Sequence, residues 1–149
     1  MSVSPLTLAS NIEAYFPGIT FSTTTKPTLA EVNNWISQAS VLIYGAIREK
    51  YQIPISDTDD LKQLESVADL YVLDNVRTTL GLNPVRQLDD GRMIPMQITH
   101  RAFERMLDCY RNGEIVLPNS PTNATYVSSS SFNAANNICP KSKKECVQW

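Results

Sequence analysis

Apolar residues in this chain return every three or four positions in three separate stretches, and each repeat predicts a helix with one buried face. The longest stretch runs from 28 to 51, TLAEVNNWISQASVLIYGAIREKY. Leu29, Val32, Ile36, Ala39, Ile43 and Ala46 line one side of it, and Trp35, Leu42, Ile47 and Tyr51 widen the stripe. Thr28 with Glu31 three positions on forms a capping box, Pro27 discourages an earlier start, and Pro54 marks the exit. At a rise of about 1.5 Å per residue the helix would measure about 33 Å. Its stripe is wide enough to touch two neighbours.

The second stretch opens on the acidic run Ser56–Asp60, which suits the positive end of a helix dipole. Leu61, Leu64, Ala68, Tyr71, Val72, Asn75 and Val76 follow at helical spacing, and Gly81 is the natural stop. The third stretch is predicted to start at a Thr99 cap and to end at about Asn112 before Gly113, with Phe103, Met106, Leu107 and Tyr110 on its buried side. A shorter helix is predicted over 6–16, with Leu6, Leu8, Ile12 and Phe16 on its face and Pro17-Gly18 ending it. The linker GITFSTTTKP alternates Ile19 and Phe21 with small polar residues, a pattern that allows extended chain.

Between 82 and 98 the period is lost. Asp89-Asp90-Gly91 supplies a turn signal between apolar neighbours, which allows a small hairpin. Ile115, Val116 and Leu117 form a strand-like run before Pro118, with ATYV at 124–127 as a pairing option. From Ser128 onward the sequence is small, polar and unpatterned, and it is expected to lack structure by itself. The predicted fold is mainly α: a small bundle of three to four helices, a short β-hairpin as an option, and an extended C-terminal tail. The expected organisation is a helical domain over 1–118 and a tail over 119–149.

Composition narrows the function. A length of 149 residues suits one domain, and 42% hydrophobic content is enough for a core. The net charge of -2 provides no overall pull on nucleic acid. The N-terminus lacks a signal-peptide pattern, and no stretch approaches the roughly 20 apolar residues of a membrane span, so a soluble intracellular protein is expected. Three cysteines do not make a disulfide framework. Cys109 reads as a small buried residue, and Cys139 and Cys146 as free thiols.

The residues that carry catalysis elsewhere have simpler readings here. His100, the one histidine, sits beside a helix start with no partner set by sequence. Asp57, Asp59 and Asp60 lack the glycine and distant glutamate of a calcium loop and read as dipole caps. Ser128–Ser131 is linker, and the isolated glycines make no phosphate cradle. No enzyme, cofactor or metal is expected. In the tail, Lys141, Lys143 and Lys144 precede Val147 and Trp149, the make-up of a docking peptide: cations to steer and an aromatic anchor. A solubilising tail is the plainer alternative.

The landmarks FPGITFSTTTKPTLAEVNNWISQAS, YGAIREKYQIPI, the Ala68 and Tyr71 positions and FERMLDCYRNGEIVLP span roughly residues 15 to 118. In order and spacing they resemble the head–tail adaptor (connector) proteins of tailed bacteriophages. The resemblance implies a structural virion protein of the neck, made in the host cytoplasm. It would form a homo-oligomeric ring, usually a dodecamer, docked beneath the portal protein and meeting tail or neck completion proteins. DNA would pass through its channel without sequence-specific binding. Neighbouring and rival expectations are a tail-completion or terminator protein, and a helical DNA-binding regulator reading with Arg101, Arg105 and Arg111. The regulator is weakened by Glu104 and Asp108 in the same segment.

Overall fold

The computed structural model describes residues 4–83, 85–87, 90, 92–95 and 98–123. Among them the elements run α1 (Ala9–Glu13), α2 (Leu29–Ile47), α3 (Thr58–Leu80), β1 (Val85–Gln87), β2 (Met93–Pro95) and α4 (Ile98–Asn112). The protein is a small, mainly helical bundle, as the apolar periods predict. The optional hairpin forms: β1 and β2 pair antiparallel, with Val85 opposite Pro95 and Gln87 opposite Met93.

Local chemistry sets most helix ends. The Thr28 hydroxyl accepts from the Glu31 N–H, and the Glu31 carboxylate accepts from the Thr28 N–H at 2.8 Å. That second contact holds the Glu31 carboxyl below its ordinary range. Asp57 caps α3 by accepting from the N–H groups of Asp59 and Asp60, and the bond from Asp60 lowers its pKa. Gly81 closes α3 in the left-handed region at φ 68°, where a β-carbon would be strained.

α3 touches α1, α2 and α4, and one core joins them. Val32, Ile36, Ala39, Ile43, Ala46 and Ile47 come from α2. They meet Leu64, Val67, Ala68, Val72 and Val76 from α3 and Phe103, Leu107 and Tyr110 from α4. Each fully buried large side chain contributes about 1.5–3 kcal/mol before entropy is set against it.

Several expectations need correction. Leu29 opens α2 on its solvent side and Leu42 sits at the rim of the stripe, both exposed, and Tyr71 is half-buried. Leu8 points outward, because the helical part of 6–16 is confined to α1 and turns fill the rest. The linker bends over 23–27, after the Ile19 and Phe21 positions. α2 stops at Ile47, short of the expected Tyr51: a turn follows in which the Lys50 and Tyr51 N–H groups both donate to the Ile47 carbonyl, and Tyr51 then bridges to Thr122. α4 starts at Ile98, and Thr99 is not its cap: its hydroxyl donates to Asp74 at 2.7 Å. Cys109 is half-buried, and its thiol donates to Glu114. Residues 115–117 form no strand, and 124–127 lie outside the described residues.

The chain after α4 is fastened to the bundle as far as Asn123, past the expected boundary at 118. Leu117 N–H donates to the Tyr51 hydroxyl at 3.0 Å. Asp60, 1% exposed, is more than a dipole cap: it accepts from the Asn119 N–H and from the Ser120 hydroxyl. Asn123 donates from its side chain to the carbonyls of Arg48 and Glu49, and from its backbone to that of Lys50. These are carbonyls that the end of a helix leaves unpaired. The buried Lys50 ammonium donates to the Tyr110 carbonyl at 2.6 Å, at the negative end of α4.

The N-terminal segment is held by α3 as well. Asn11 donates to Glu65, and the Tyr15 hydroxyl lies 3.5 Å from Asp69. Asp69 is buried, and burial pushes its carboxyl above the ordinary value, with the Glu65 charge adding to the effect.

Two outcomes follow from this packing. Ile36 and Ile43 are 3% and 0% exposed, so Ile36→Asp or Ile43→Asp places an unpaired charge in the core. Each should cost more than about 3 kcal/mol and abolish the cooperative thermal transition followed by circular dichroism. For Asp69, the folded chain holds a proton over a pH window in which the unfolded chain has lost it. Stability therefore falls as pH rises through that window. Asp69→Asn should raise the urea midpoint at pH 7, and the gain should vanish below about pH 4, where both states are protonated.

Candidate functional site

Ser40-Val41-Leu42-Ile43 puts three large apolar residues in a row on α2. Successive helical residues are turned by about 100°, so a helix packed on one side cannot bury all three. Ile43 takes the core, while Val41 is 56% and Leu42 40% exposed. Leu42 borders a groove of about 470 Å³ between α2 and α4, floored by Tyr71 and Phe103 and lined by Leu107. A second hollow of about 420 Å³ continues it over Ser37, Gln38 and Val41, with Leu42 and Tyr71 shared by both.

Tyr71 fixes the shape of the floor. Its ring packs on Phe103 at a centroid distance of 5.0 Å, and its hydroxyl donates to Gln38 at 3.0 Å. The aromatic pair thus joins α3 to α4 while the hydroxyl joins α3 to α2.

The rim on α4 is polar. His100 stands with Nε2 3.3 Å from Glu104 and Nδ1 4.0 Å from the buried Asp74. It therefore lies between two carboxylates at the α3–α4 seam, a placement sequence alone did not give. Arg111 pairs with Asp108 at 3.1 Å. The groove is a surface for contact: an apolar floor, an aromatic shelf and a charged edge. Among the described residues no group of three or more His, Cys, Asp and Glu side chains is placed to hold a metal ion. No helix among them is long and apolar enough to cross a membrane.

Of the packing residues named from sequence, Tyr71, Phe103 and Leu107 meet here, and Leu42 borders them. Val41, Ser37 and Gln38 were missed. The unbroken Val-Leu-Ile run was the available signal. Lys141, Lys143, Lys144, Val147 and Trp149 lie outside the described residues, as do Cys139 and Cys146. Arg101 and Arg105 are exposed along α4, interleaved with Glu104 and Asp108. Compared with known proteins, the chain matches no family model, no curated protein and no solved structure.

The groove should separate contact from stability. Val41→Ser should shift the unfolding free energy by under about 0.5 kcal/mol, because the side chain is mostly in solvent. Tyr71→Ala should cost about 2–4 kcal/mol, since it removes the Phe103 contact and the Gln38 hydrogen bond together. Urea titrations of the two variants measure both.

Proposed function

We propose that this protein is a structural component of a phage neck, a head–tail adaptor that packs as a ring beneath the portal and extends the DNA channel. The observation that carries the reading is the groove, in which a small bundle keeps Val41 and Leu42 in solvent beside a fixed aromatic floor. Contiguous exposed apolar surface of this kind marks a place where another macromolecule docks. In a ring, the same face of each copy meets a different face of the next, so one groove per protomer is enough to close the assembly. The order of landmarks over 15 to 118 supports the same assignment. A mildly acidic chain suits a channel through which DNA must slide, since it offers few cations to phosphates.

The test is location. Antibody labelling of purified particles should place the polypeptide at the head–tail junction, and its absence there refutes the assignment. Leu42→Gln should lower the yield of neck-complete particles by about tenfold while leaving the helical spectrum unchanged. A deletion of residues 128–149 should leave the bundle folded and weaken assembly. A salt-dependent gel shift with duplex DNA, with no neck labelling, would favour the regulator instead.

A further inference from the structure

The described part of the chain ends where Asn123 is fastened to the end of α2, at the Arg48, Glu49 and Lys50 carbonyls. The groove starts on the same helix. Leu42 and Ser37 lie about 12–20 Å back along its axis from Lys50. We propose that residues 141–149 of the same molecule, KSKKECVQW, occupy this groove and cover it until a partner displaces them. Val147 and Trp149 fill the apolar hollow over Val41, Leu42 and Tyr71, and the lysines lie along the α4 rim.

Three observations carry this. The first is reach. Residues 124–140 can span up to about 55 Å when extended, several times the distance needed. A segment tethered so close meets the groove at an effective concentration on the order of millimolar, so even a weak contact is mostly made. The second is shape and polarity. The hollow over Ser37, Gln38, Val41, Leu42 and Tyr71 is open and predominantly apolar, and an indole brings about 150–250 Å² of surface to bury. The third is charge. The rim carries Glu104 and Asp108, and its guanidinium, Arg111, is already engaged by Asp108. That pair cancels, so among the residues lining the groove Glu104 is the carboxylate left to attract Lys141, Lys143 and Lys144.

This inference goes beyond the neck assignment and holds for any partner the groove serves. Such a partner must compete with the tethered segment, so the exposed apolar face is shielded before assembly.

Limited trypsin digestion of the full chain tests it, with cleavage after Lys141, Lys143 and Lys144 followed by mass spectrometry. When opening is fast, cleavage tracks the undocked population. The wild type should be cut about tenfold more slowly at these sites than either Leu42→Gln or Trp149→Ala. Leu82→Gln, which changes an apolar residue 57% exposed outside the groove, should behave as wild type. Circular dichroism establishes that all four proteins are equally folded. Equal cleavage in wild type and variants overturns the proposal. So does protection that Trp149→Ala removes and Leu42→Gln leaves intact, which puts the segment elsewhere. Protection that disappears on dilution to nanomolar protein assigns the occupant to a second copy and overturns the same-molecule claim. None of these outcomes bears on neck labelling, so the two readings fail separately.

Discussion

Burying a carboxylate is costly unless donors meet it, and α3 buries three: Asp60, Asp69 and Asp74. Each faces a different outlying segment. Asp60 takes the Asn119 N–H and the Ser120 hydroxyl from the chain after α4. Asp69 faces Thr7 and Tyr15 from the N-terminal segment. Asp74 takes the Thr99 hydroxyl and stands near His100 at the start of α4. The central helix thus supplies an apolar face for packing and a set of acceptors that fix what surrounds it. The three sites are not equally satisfied. Asp69 keeps one oxygen without a hydrogen-bond partner, which agrees with the upward shift of its carboxyl.

The same economy shapes the groove. α2 has more apolar surface than α1, α3 and α4 cover, because Val41, Leu42 and Ile43 are consecutive. The core takes Ile43 and the aromatic shelf of Tyr71 and Phe103 half-covers Leu42. Val41 is left over. On a bundle this small, surplus apolar area is the feature that asks for a partner, whether a neighbour in a ring or a segment of the chain itself. A stability argument gives no reason to keep Val41 apolar; a contact argument does.

Much of the bundle was legible in the chain. The capping box at Thr28 and Glu31, the Asp57 cap and the Gly81 stop are local events, set by residues within a few positions of one another. The Asp-Gly turn signal in the sequence allowed the hairpin that β1 and β2 form. The misses share a cause. α2 was expected to run to Tyr51, up to the Pro54 exit; it ends at Ile47, and Tyr51 is instead paired with Thr122, far along the chain. Thr99 has the chemistry of a cap but spends its hydroxyl on Asp74 across the α3–α4 seam.

The sequence by itself determined which segments are helical and which faces turn inward, because period and capping act over distances of one or two helical turns. Tertiary structure decided which acids are buried, where the Thr99 hydroxyl bonds, and that Tyr71 and Phe103 form the floor of a groove. Those outcomes depend on donors and rings brought together from positions more than twenty residues apart. A buried aspartate and an exposed one look alike until the segment that supplies the hydrogen bond is in place.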